Sequence, residues 1–174
     1  MKNLTVALAF LMTLSLPVSA QDFQKGYAAY EAGDYATALK EWRPLAEAGD
    51  ASAQTNLGFM YENGLGVPKD DAEAVRLYRL AADQGDAYAQ SNLGNMYRQG
   101  EGVPKDDAEA VRLYRLAADQ GYANAQTNLG AMYELGLGVL QDSVTAHMWY
   151  NIGAANGNEL GGTNRDSISK GMTQ

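Results

Sequence analysis

The sequence predicts an all-α fold, a solenoid of stacked helix-turn-helix units, and three observations predict it. First, shifting the 174-residue chain against itself by 36 places brings a block into register unchanged: GVPKDDAEAVRLYRLAADQG at 66–85 returns at 102–121. A divergent third copy, GVLQDSVTAHMWYNIGAANG, keeps the frame at 138–157. Repetition at such a period marks an array whose units bury a face only against their neighbours. Second, the apolar residues within each copy recur at helical spacing. Third, a glycine stands just past each apolar run, where helices end in a left-handed residue.

Residues 1–20 read as a secretory signal peptide. Lys2 gives a positive start, 4–16 form an apolar run, Pro17 ends it, and Val18-Ser19-Ala20 place small residues before Gln21. The run is shorter than the roughly 20 residues that span a bilayer, so no stable membrane insertion is expected after cleavage. The expected destination is the periplasm or the exterior. The chain has no cysteine, which excludes disulfides, thiol chemistry and a lipid-modified N-terminal cysteine.

Residues 21–49 read as a compressed hairpin. Phe23, Tyr27 and Tyr30 give its first helix, Gly33-Asp34-Tyr35 its turn, and Ala38, Leu39, Trp42, Leu45 and Ala46 its second helix. Pairing Tyr30 with Tyr61 and Trp42 with Tyr78 makes its loop five residues shorter than that of the later units. Pro44 is expected to bend or loosen the middle of the second helix.

Three full units follow, at 50–85, 86–121 and 122–157. In the first, Ala53, Leu57, Met60 and Tyr61 share one face of a helix over 51–63, closed by Gly64. A loop with Pro68 leads to Asp70, an N-cap with Glu73 as the partner of a capping box. The second helix runs to about Gln84, with Ala74, Leu77, Tyr78, Ala81 and Ala82 inward. Gly58, Gly94 and Gly130 fall mid-helix, where glycine costs about 1 kcal/mol relative to alanine. Their recurrence predicts a close approach of Tyr78, Tyr114 and Tyr150 from the paired helix. The tail, 158–174, offers a partial helix weakened by Gly161-Gly162. If no closing helix follows it, the final hairpin face is left open, either as a frayed end or as a surface for a partner or for self-association.

The string LGxMYxxGxGV, followed by Asp, Ala, Tyr and AAxxG, resembles the Sel-one-like repeat family, a relative of the tetratricopeptide repeats. It reads here Leu57-Gly58, Met60-Tyr61, Gly64, Gly66-Val67, Asp70, Ala74, Tyr78, Ala81-Ala82 and Gly85. Copies follow at Leu93-Gly94 with Met96-Tyr97 and at Leu129-Gly130 with Met132-Tyr133. In its GDYATAL the compressed unit resembles a plain tetratricopeptide hairpin. The resemblance spans about 22–157 and implies a right-handed superhelix that holds other proteins without catalysis.

Composition narrows the chemistry. With 13 Lys+Arg against 21 Asp+Glu the formal net charge is −8, which repels phosphate backbones and excludes a nucleic-acid partner. Lys69, Asp70, Asp71 and Glu73, with their copy at Lys105, Asp106, Asp107 and Glu109, read as helix capping. The lone histidine, His147, takes the place of Val75 and Val111 and reads as partly buried surface. One histidine and no cysteine give no transition-metal set. No cofactor and no catalytic residue are expected, and the loops at Gly66 and Gly102 lack any phosphate-binding context.

A binding face is the better reading. By analogy with tetratricopeptide-like solenoids, the first helix of each unit lines a concave surface. The candidates there are the ladder Asn56, Asn92 and Asn128, with the variable residues Phe59, Asn95, Glu62, Arg98 and Tyr88 around it. Asparagine donates and accepts, which suits a peptide backbone; a ladder that only spans neighbouring helices is the alternative. The expected function is an exported scaffold or adaptor that binds another protein or an extended peptide. The alternatives are a secreted virulence or host-interaction factor and, further off, a cell-wall or β-lactam amide hydrolase. For the last, the chain offers no nucleophile–base pair.

Overall fold

The computed structural model describes residues 22–172, so the signal peptide expected at 1–20 lies outside the described residues. Four helical hairpins and a further helix follow one another. They are α1 (Phe23–Glu31) with α2 (Tyr35–Glu47), α3 (Ala51–Asn63) with α4 (Asp71–Asp83), α5 (Ala87–Gln99) with α6 (Asp107–Asp119), α7 (Ala123–Leu135) with α8 (Ser143–Ala155), and α9 (Glu159–Met172). Each helix packs on the next along the chain, and α7 also touches α9. The described chain is therefore an all-α solenoid.

Aspartates start most of these helices. Asp70 Oδ1 accepts the Glu73 N–H at 3.0 Å, and Asp34, Asp50 and Asp86 act alike at α2, α3 and α5. Tyr122 holds the corresponding place at α7 and makes no side-chain cap. The capping box expected at α4 forms only half. The Asp70 N–H donates to the Tyr61 carbonyl at 3.0 Å, and the Glu73 carboxylate instead takes two bonds from Arg76, at 2.7 and 2.6 Å. Gly64 ends α3 at φ 66°, as its position predicts.

The mid-helix glycines are explained by contact. A Cβ on Gly58, Gly94 or Gly130 would lie 2.7–2.8 Å from a ring carbon of Tyr78, Tyr114 or Tyr150. These tyrosines are fully buried. The first hairpin uses the same device, with Trp42 over Gly26 and the indole N–H donating to the Phe23 carbonyl at 3.1 Å. Gly26 is thus the counterpart of Gly58, which corrects the pairing of Tyr30 with Tyr61. The connection at 32–34 is three residues against seven at 64–70, a difference of four and not five. Pro44 falls in the last turn of α2, which runs on unbroken to Glu47. The loosening expected in its middle is absent because proline this near the end removes only its own bond to the Lys40 carbonyl.

The hairpins are joined by apolar clusters, each shared between successive units, and by a buried amide ladder. Gln54 Nε2 donates to the Ala46 carbonyl of the preceding hairpin at 3.0 Å, while its Oε1 accepts from Gln84 at 2.8 Å. Gln90 makes the same links to Ala82 and Gln120 at 3.3 and 2.8 Å, and Gln126 to Ala118 and Asn156 at 3.0 and 2.8 Å. Such amides are satisfied at both ends, which is the condition for burying them. Val75 and Val111 are core residues, while His147 at their place is half-buried.

The tail forms a full helix where the sequence offers a weakened one. A continuous helix forms through Gly161-Gly162, with Asn158 Oδ1 accepting the Gly161 N–H at 2.8 Å. A Cβ on Gly161 would lie 2.8 Å from Thr127 Oγ1 and 3.0 Å from the Tyr150 carbonyl. The glycine that weakens α9 alone lets it seat closely on α7 and α8. Its register is that of a first helix, with Asn164 falling 36 residues after Asn128.

The glycine contact has a measurable consequence. Gly94→Ala gains about 1 kcal/mol of helix propensity but forces a methyl into a ring that has no room to move. We expect a net destabilisation of about 1–3 kcal/mol, read as a lower urea midpoint. A variant as stable as the parent would remove the close-packing account.

Candidate functional site

Two hollows open along the face formed by the first helices of the units. One, of about 420 Å³, is lined from α1, α3 and α5; the other, of about 390 Å³, from α5, α7 and α9. Asn56, Phe59, Tyr88 and Asn92 line the first, and Asn92, Asn95, Arg98 and Asn128 the second. Asn92 stands in the wall between them. Of the residues singled out from the sequence, only Glu62 lines neither.

Glu62 has another task, and it explains part of the variation between copies. A buried tyrosine hydroxyl must find a partner. Tyr78 donates to Glu62 at 2.6 Å and Tyr150 to Glu134 at 2.5 Å. In the middle unit the same place is Arg98, which cannot accept, and Tyr114 donates instead to Asn95 at 2.7 Å. Glutamate therefore goes with an apolar neighbour, Phe59 or Ala131, and arginine with an asparagine. Burial holds all three hydroxyls well above the usual tyrosine value; Tyr114, beside Arg98, is pushed up to about 12.

The asparagine ladder shares this network. Asn92 lies beside the Tyr78 hydroxyl and Asn164 beside that of Tyr150. Asn128 Nδ2 donates to Asn95 Oδ1 at 3.2 Å. Each thus links its unit to the buried tyrosine of the preceding one, and Asn92 and Asn128 do so while half-buried in the groove wall. Asn56 differs, because the preceding aromatic is Trp42 and carries no hydroxyl.

The aromatic lining is richer than the sequence reading found. Tyr27 is 48% exposed in the first hollow and not packed as expected, and Tyr30 lies half-buried beside it. With Gly26 aligned to Gly58, Tyr27 falls in the column of Phe59, Asn95 and Ala131; that alignment was the missing signal. Phe59 is 38% and Tyr88 55% exposed. Tyr30 and Phe59 meet edge to face at 6.4 Å, and Tyr88 leans on Tyr122 with centroids 4.9 Å apart. Tyr122 is held in turn by Asn124 at 3.1 Å, and Asn124 by Asn158 at 2.6 Å. Burial first, then the field of neighbours that include Glu31 and Tyr88, raises the Tyr30 hydroxyl above its ordinary value.

Charge divides the groove. The first hollow carries Glu31 and Asp86 and no base; the second carries Arg98 and no acid. Among the described residues no group of three or more His, Cys, Asp or Glu gathers as a metal site would require, and no helix is long and apolar enough to cross a membrane.

The tyrosine network predicts a compensating pair. Asn95→Ala takes the acceptor from the Tyr114 hydroxyl, and we expect a loss of about 1–3 kcal/mol in urea unfolding. Adding Arg98→Glu recreates the arrangement of the third unit and should restore most of it. Additive losses in the double variant would refute the coupling.

The Sel1 repeat profile matches residues 51–86, 87–122 and 123–158. Two solved structures are similar. One is a Sel1 repeat protein from Oxalobacter formigenes, at TM-score 0.77 and 33% identity over 83% of this chain and 59% of that one. The other is c5321 of uropathogenic Escherichia coli, described as a protective antigen displaying an SLR fold, at TM-score 0.76 and 42% identity over 83% of this chain and 32% of that one. The chain spans less than two thirds of the length of either. No curated protein matches it.

Proposed function

The chain belongs to the Sel1 repeat family, and from that premise we propose that it is an exported scaffold that binds another protein along the groove of its first helices. One observation carries the reading. Large aromatic side chains, among them Tyr27, Phe59 and Tyr88, stand exposed in a concave surface, where the same positions of the other units carry Ser52, Asn95, Asn124 and Ala131. Exposed aromatics gathered in a concavity are the usual make-up of an interaction site. The family and structures matched name no catalytic activity. Export rests on the leader read at 1–20.

The test is site-directed photocrosslinking in cells, with the reactive residue at Tyr88 in the groove or at Leu116 on the outer face, where it is 41% exposed. Adducts with one defined partner are expected from position 88 alone. Tyr88→Ala with Arg98→Ala should then raise the Kd for that partner about tenfold or more without a change in Tm. Equal labelling from both positions would argue against the groove. Fractionation tests export: the expected species begins at Gln21 outside the cytoplasm, and an intact N-terminus retained inside would reverse that part.

The likeness to c5321, described as a protective antigen, favours a second reading in which the same groove meets a host protein. Recovery of the chain from the culture medium and not from the periplasm would favour it.

A further inference from the structure

The first hollow has a composition that selects its occupant. Its exposed walls are aromatic, from Tyr27, Tyr30, Phe59 and Tyr88, and its charges are Glu31 and Asp86. Among the described residues, neither carboxylate forms an ion pair. Asp86 uses one oxygen to cap α5 through the Ala89 N–H, at 2.7 Å. The acids come from different elements, Glu31 at the end of α1 beside Tyr30 and Asp86 at the N-cap of α5 beside Tyr88, with Phe59 of α3 between them in chain order.

Aromatic faces are negative and attract cations, and carboxylates lining the same space add to that field. An anionic group would meet two charges of its own sign. A neutral apolar group would bury the two acids without compensation. The hollow, about 420 Å³ and open on one side, has room for a long side chain entering from a bound segment. The chain's net charge of −8 adds a long-range attraction for basic partners. The second hollow reverses the sign with Arg98.

We propose that the hollow between α1, α3 and α5 is a pocket for an arginine side chain of an extended partner segment. The planar guanidinium stacks against tyrosine and directs its donors to a carboxylate of the lining, Glu31 or Asp86, a match that its geometry favours. The residues that follow in the segment pass Asn92 towards Arg98, where an acidic side chain is preferred. The segment is thereby given a direction along the groove. This assignment rests on the groove being the binding face.

The test is an NMR titration of the full mature chain with acetyl-Gly-Arg-Gly-amide, against the same tripeptide carrying citrulline, a neutral isostere. Saturable shifts confined to residues around Tyr27, Tyr30, Phe59 and Tyr88 are expected with the arginine peptide, and binding about tenfold weaker with citrulline. Glu31→Gln with Asp86→Asn should erase that preference; asparagine still caps α5, so the fold is kept. Equal binding of the two peptides, an unchanged preference in the double variant, shifts elsewhere, or no saturable shift would each overturn the proposal. If position 88 still crosslinks a partner in any of these cases, the groove stands and only the arginine pocket falls. If it does not, both fall.

Discussion

An aromatic ring laid on bare helix backbone is the contact from which most of this structure follows. Tyr78, Tyr114 and Tyr150 each sit where a single extra methyl on Gly58, Gly94 or Gly130 would overlap the ring. That closeness sets the distance between the paired helices, and with it the angle at which the next hairpin can dock. It also creates a debt in hydrogen bonding. A phenol driven into the hairpin brings a hydroxyl that must be satisfied there. Residues of the first helix discharge it, through Glu62, Asn95 and Glu134. The packing of the hairpin thus reaches the groove at Asn95 and limits which residues can stand there.

The same economy governs the joints between units. Gln54, Gln90 and Gln126 each hold a carbonyl of the hairpin before and a side chain at the end of their own. These bonds are directional where the apolar clusters are not, so they fix the register of one unit on the next. The outer face is less constrained. Glu73–Arg76 and Glu109–Arg112 are exposed pairs within one turn, worth little to stability. The third unit replaces them with Thr145 and Met148, and adds exposed Val144 and Leu140. Nothing in the structure explains the apolar character of that face.

The legibility of the sequence tracks the range of the interaction. Helix ends set by glycine or aspartate, and a ring facing a glycine in the same hairpin, could be read directly because period and spacing encode them. The capping box at Asp70 could not, since its reciprocal arm lost to the Tyr61 carbonyl across the loop. The amide ladder was hidden too: glutamine on an apolar face looks like a surface residue until its partners, 8 and 30 residues away, are in place. In α9, the pair of glycines gave the right cost and the wrong outcome, because the compensating contact comes from Thr127 and Tyr150. For the groove, the asparagine and variable columns were found, and Asn56, Phe59, Tyr88 and Asn92 do share one hollow with each other. Tyr27 was missed because helical spacing tells which residues share a face, not whether that face meets core or water.

The exposed aromatics of the groove are held before any partner arrives. Tyr88 leans on Tyr122, which is tied through Asn124 to Asn158 at the start of α9. Phe59 meets Tyr30, and Tyr30 meets Trp42 and Tyr35 in the first hairpin. A side chain already ordered loses little entropy on binding, and that loss is among the larger costs of association. The tail and the compressed first unit, which look least like the repeat, therefore supply the fixed ends of the chain of contacts that positions the aromatics of the groove. A groove built only from the two identical blocks would have neither Tyr30 nor Asn158 to hold its aromatics in place. The irregular units hold the aromatics of the groove in place, and the regular ones set the distance between its two halves.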